Sequence, residues 1–197
     1  MSFEYDLMIP PTPVAPFETM TEVQAKEHFD WFVGQAPRRV DLLKSAYAHE
    51  MGNAADLDGT RESLVPLLRW LARHAAIRPR DAAWSDRQAS LPAWAQASGI
   101  KNDELSTPSL ALAVDAGFYF AQVLKSGHPD KVSWVLWREP GDHYYNRPVL
   151  TGFGPAPLMP HEILETCMWG VLNGRHDEQR LMKIHDVWVA KLHRRRS

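Results

Sequence analysis

Between Glu104 and Lys125 the chain carries a single charged side chain, Asp115, and from Leu110 to Leu124 it is apolar on nearly every helical face. A helix of that kind has to be covered on most of its sides. Whatever else the chain forms must therefore wrap around it. Thr107-Pro108 supplies the start, a cap followed by proline at the first helical position, and Gly127 with Pro129 closes the segment. The pattern predicts a central helix over about 107–126. It is not a membrane span, because Asp115, Gln122 and Gly117 make it too polar and it is too short.

The flanking segments supply partners for that helix. Thr21 followed by Gln24 has the spacing of a capping box. Ala25, Phe29, Phe32, Ala36, Val40, Leu43 and Tyr47 then recur at helical intervals. Gly34 and Pro37 interrupt them, so two helices are expected, about 21–35 and 37–51, meeting at a kink and ended by Gly52-Asn53. Ser63 is placed to cap a helix reaching about residue 77, with Leu64, Leu67, Leu68 and Leu71 on one stripe and Pro66 in its first turn. Further helices are predicted over 160–173, stopped by Asn173-Gly174, and over 177–193.

Strands are expected at 132–137 and 144–153, joined through the turn Pro140-Gly141-Asp142, with Pro148 marking an edge or a bulge. Residues 3–9 are a candidate third strand, and the prolines at 10, 11, 13 and 16 make 10–17 an extended segment laid across the body. Residues 78–106 read as a long, weakly patterned connection with a short helix around 91–98. The expected architecture is α+β, with helices packed around the central one and a small antiparallel sheet. It forms one globular domain over 1–197, with an extended N-terminal segment 1–20 and a basic tail 193–197.

Composition narrows the function classes. With 197 residues, 45% apolar and 23% charged, the chain is globular and long enough to bury its core without staples. Its one cysteine, Cys167, sits in an apolar stretch and reads as a small buried hydrophobe in a reducing compartment. The N-terminus lacks a secretory pattern, so a cytoplasmic location is expected. Net charge is −2, but residues 1–60 hold ten acidic and four basic side chains, and 175–197 hold seven basic and three acidic. Arg194, Arg195 and Arg196 account for much of the latter surplus and form no stripe interleaved with aromatics, which argues against nucleic acid.

Four groups of residues invite a chemical reading. Asp115, if buried, must be hydrogen-bonded, paired or protonated, and a structural bond to a tryptophan, tyrosine or arginine is expected. His161 and Glu165 share a helical face, but they offer two ligands where three protein ligands are usual. A metal-dependent hydrolase would have to recruit His185 and Asp115 as well, whereas the plainer reading of His161 is a solvated first turn. His176-Asp177 and His185-Asp186 lie nine residues apart, on opposite faces of a continuous helix. No phosphate-cradling glycine loop, nucleophile elbow or cysteine–histidine cluster occurs, so neither a cofactor nor a metal is expected.

The fourth group is Asp142, His143, Tyr144, Tyr145 and Arg147, beside a turn, where tyrosine and arginine are the types that anchor protein contacts. Asp142 and His143 would point to opposite faces of a strand, which weakens an acid–base pairing. Asp30 and Asp41 belong to the acidic N-terminal third and are candidates for steering a basic partner.

Several longer stretches carry a resemblance. They are Leu7-Met8-Ile9-Pro10-Pro11-Thr12-Pro13, Phe29-Asp30-Trp31-Phe32, Ser63-Leu64-Val65-Pro66-Leu67, Asp115-Ala116-Gly117-Phe118-Tyr119-Phe120 and Asn146-Arg147-Pro148-Val149-Leu150-Thr151-Gly152-Phe153. Together they resemble a group of small bacterial proteins of about this length, similar to the immunity proteins that accompany secreted toxins. The resemblance implies a protein partner, such as a basic toxin domain, and no catalytic residues. The alternatives are the hydrolase built on His161, Glu165 and His185, and a homo-oligomeric scaffold whose tryptophans serve self-association.

Overall fold

Leu112, Asp115, Phe118, Tyr119, Phe120 and Ala121 are all buried, and they point in every direction around the helix that carries them. That helix is α3, Thr107–Gly127 in chain order after α1 (Glu22–Met51) and α2 (Leu64–His74). It is followed by α4 (Pro160–Leu172) and α5 (Arg180–Leu192). The computed structural model describes residues 5–81, 84 and 103–193. Two short antiparallel pairs complete it: β1 (Ile77–Pro79) with β2 (Asp103–Leu105), and β3 (Ser133–Leu136) with β4 (Pro148–Thr151). The architecture is α+β, with α1 and α4 as the principal neighbours of the central helix. No helix among the described residues is long and apolar enough to cross a membrane.

α1 departs from expectation. It runs unbroken through Pro37 instead of dividing into 21–35 and 37–51. The reason lies in packing. Ala25, Phe32, Val40, Leu43 and Tyr47 are all buried along one stripe, and burial of each large side chain is worth about 1.5–3 kcal/mol. That gain outweighs the cost of about 3 kcal/mol for one interior proline, whose ring lies on the exposed face. The capping box forms as the spacing predicts, with Gln24 N donating to Thr21 Oγ1 at 3.2 Å and Thr21 N to Gln24 Oε1 at 2.9 Å. Gly52 ends the helix in the left-handed conformation, at φ 77°.

The other element boundaries need smaller corrections. Ser63 does not cap α2. Its hydroxyl meets Thr60 O at 2.5 Å and Tyr119 Oη at 2.6 Å, so it ties the helix start to α3. Ser106, not Thr107, caps α3, which puts Pro108 at the second helical position. α2 ends at His74 because residues 77–79 pair instead with 103–105, with Ile77 opposite Leu105. The helix expected at 91–98 lies outside the described residues. α5 begins only at Arg180, leaving His176 and Asp177 in the preceding turn.

The sheet is smaller than its sequence pattern suggests. Residues 5–9 form no strand, and the second strand begins at Pro148, not at Tyr144. Residues 142–146 are turn because Asn146 adopts a left-handed φ of 60° and buries its side chain against Phe17 O at 2.8 Å. A residue in that conformation cannot continue a strand. β4 also exchanges two backbone bonds of 2.8 Å with Leu158, which delivers the chain to the start of α4. There α3 and α4 approach closely at Gly117, where a Cβ would lie 2.8 Å from the backbone nitrogen of His161.

Candidate functional site

The face of α1 beside its buried stripe carries a second stripe at spacings of three and four residues: Asp30, Val33, Pro37, Asp41 and Lys44. Eleven residues, about three helical turns, separate the two aspartates and return them to nearly the same side. Opposite lies a row on α3, with Phe118, Gln122 and Lys125 four and three residues apart. Between the two helices runs a groove of about 690 Å³, lined also by Trp134 of β3 and by Pro129.

Its floor is apolar. Val40 and Phe118 are buried, and Trp134 meets Phe118 with ring centroids 6.1 Å apart in an edge-to-face contact. Phe32 backs both rings, at 4.7 Å from Phe118 and 6.0 Å from Trp134. The rim is charged. Asp41 and Lys44 stand on α1, and Lys125 on α3. Neither lysine makes an ion pair among the described residues, and the Lys44 ammonium lies 5.7 Å from the Tyr119 ring. Asp30 lies beyond the groove, exposed and paired with Lys26 one turn back.

The residues of the 142–147 turn do not join this groove. Most are engaged internally, so the turn is a stitched corner. Asp142 accepts from Trp137 Nε1 at 3.1 Å and from the Tyr144 backbone at 2.9 Å. Tyr145 lies 6.0 Å from the Arg138 guanidinium. Arg147 turns inward over the Phe17 ring at 4.5 Å. His143 is exposed and meets Glu162 Oε1 at 3.1 Å. Tyr144 borders a separate trough of about 380 Å³ with Ile163, Ile184 and Trp188.

Asp115 is fully buried and accepts from Arg39 Nε and from Tyr5 Oη, each at 2.7 Å. Burial lifts its carboxyl above the usual carboxylate range, against the pull of both donors. Arg39 also donates to Asp6 O at 2.6 Å, so one guanidinium holds the N-terminal segment to α1 and α3. The sequence held a signal for Arg39 that went unread. It stands seven residues after Phe32 and four before Leu43, a lone cation within the buried stripe of one helix, to match the lone acid of another.

The four residues of the hydrolase reading sit in different surroundings. His161 is not in a solvated turn. It packs against Phe32 at 6.3 Å, and burial pushes its imidazole down to about 4. Among the described residues Glu165 makes no hydrogen bond or ion pair, and burial raises it to about 7. His185 lies on α5, with its ring 6.4 Å from Phe120 and Nδ1 3.3 Å from Asp186, which is itself gripped by Arg61. Among the described residues no three histidine, cysteine, aspartate or glutamate side chains are grouped to hold a metal ion. Cys167 is buried in the core, which raises its thiol to about 11. Compared with protein-family models, with curated proteins and with solved structures, the chain finds no match.

Proposed function

We propose that this is a cytoplasmic binding protein, an immunity protein that neutralises a bacterial toxin by seating on a basic domain and occluding its site. The groove between α1 and α3 carries the reading. Its floor presents the aromatic rings of Phe118 and Trp134 beside Val40, and its rim holds Asp41. Aromatic side chains in a desolvated trough dominate binding energy in protein contacts. Carboxylates at the edge raise the rate at which a basic partner arrives. Asp30, on the same face of α1, extends that acidic edge, and Lys44 and Lys125 fix the register against acidic groups of the partner.

Co-expression with the protein encoded beside its gene tests the reading. The expected result is a stable complex whose association slows as salt rises. Reversing charge at both Asp30→Lys and Asp41→Lys slows it further. If the neighbouring protein forms no complex and the chain alone hydrolyses members of a small-molecule panel, the binding reading is wrong.

A further inference from the structure

A second pocket, of about 230 Å³, lies under the N-terminal segment and is independent of the α1–α3 groove. Two of the polar side chains that line it, Arg147 and His161, make no side-chain hydrogen bond among the described residues. The Arg147 guanidinium donates no hydrogen bond to any described residue. Its nearest carboxylate is Glu18, 3.7 Å away, and its Nε is sealed from the surface with no acceptor. The His161 ring also lacks a hydrogen-bond partner among the described residues, and its position is fixed by the tight approach of α4 to Gly117. A buried donor left unmade is costly, and the Arg147 guanidinium with the His161 ring at the same pocket suits an acceptor from outside the chain.

The walls suit a flat apolar body. Phe17, His28, Trp31 and Phe32 form a continuous run of rings, with centroids 5.3 Å apart for Phe17–His28, 5.5 Å for His28–Trp31 and 6.1 Å for His28–Phe32. Met8 and Pro10 of the N-terminal segment form the roof, anchored by the bonds from Arg39 to Asp6 and from Tyr5 to Asp115. A cavity of about 150 Å³ is enough for benzene, so this one has room for a single ring and one substituent. The guanidinium fork matches a planar carboxylate better than a point anion.

We propose that this pocket binds a small aromatic carboxylate, with one ring seated among Phe17, Trp31 and Phe32 and the carboxylate held by Arg147 and the His161 ring N–H. Benzoate serves as the probe, and benzamide and benzyl alcohol serve as neutral matches of the same size. Full-length protein is titrated while the imidazole resonances of His28 and His161 are followed by NMR. Benzoate is expected to shift both saturably and to bind at least about tenfold more tightly than either neutral probe. Arg147→Lys, which keeps the charge and loses the fork, is expected to weaken benzoate by about tenfold.

No saturable shift up to the solubility limit of benzoate overturns the proposal. So does equal binding of benzoate and benzamide, or unchanged benzoate binding by a folded Arg147→Lys protein. If that variant does not fold, the benzoate–benzamide comparison on the parent protein decides.

Discussion

Arg39 Nε donates to Asp115 Oδ1 at 2.7 Å, in a contact where the two side chains keep only 2% and 0% of their surface exposed. Tyr5 Oη completes the carboxylate from the other side. Removing one member of a buried pair leaves the other charge uncompensated, which costs about 3–5 kcal/mol. Asp115→Ala is therefore expected to lower stability by about that amount in chemical denaturation. Asp115→Asn keeps an acceptor and should cost less. A double-mutant cycle with Arg39→Met should return a coupling of about 1 kcal/mol or more, and additivity would show that the pair does not interact.

Two glycines within helices should respond in opposite directions to the same substitution. At Gly117 an added Cβ meets the backbone of His161 at 2.8 Å, so α3 and α4 must separate. Gly117→Ala is expected to destabilise by about 1–3 kcal/mol. At Gly34 nothing lies within 4 Å of the added methyl. Gly34→Ala should stabilise α1 by about 0.5–1 kcal/mol. Thermal melts of the two variants check both signs.

Glu165 gives a dependence on pH. Its folded pKa, raised by burial to about 7, lies above its ordinary value, so its favourable contribution is full below about 4.5 and is lost as pH rises through about 7. His161 acts oppositely, since its pKa is held down to about 4 and its contribution fades as pH falls from 6.5 towards 4. Glu165→Gln isolates the first effect. Its stability relative to the parent should rise between pH 4.5 and 7.5 and level off above, by about 1–3 kcal/mol. A parent–variant difference that stays flat with pH would place the carboxylate in water.

The groove reading predicts a division between binding and folding. Trp134 is half-buried in the wall of the groove. Trp134→Ala should weaken the partner complex by about 2 kcal/mol or more. Lys26→Ala removes only a surface ion pair with Asp30 and should change stability by less than about 0.5 kcal/mol. Calorimetric titration of the complex, set beside the melting temperature of each free variant, separates the two.

Elements written as strong local patterns were legible. The apolar circumference of α3, the Thr21–Gln24 box and the Asn173-Gly174 stop all appear where the residues put them. What escaped was set by distant contacts. Pro37 looks like a break because its cost is local, whereas the stripe that overrides it is satisfied by distant elements, α3 chief among them. Tyr144 to Arg147 look like a strand by composition, but Asn146 turns the chain to reach Phe17, more than a hundred positions earlier. His161 looks solvated at a helix start until Gly117 on another helix is seen to press against it. The groove joins residues of three elements, and no spacing along one of them announces it.

The bond between Tyr5 and Asp115 spans 110 positions. Both donors to that carboxylate, Tyr5 and Arg39, precede it in the chain, so during synthesis they leave the ribosome first. The acid is never made without its partners already waiting. The cation has the opposite history, because Arg39 must wait until the central helix is translated for the counter-charge that lets it be buried. Any fragment that stops short of residue 115 should therefore keep the apolar stripe of α1 open to water, and depend on chaperones until the acid arrives.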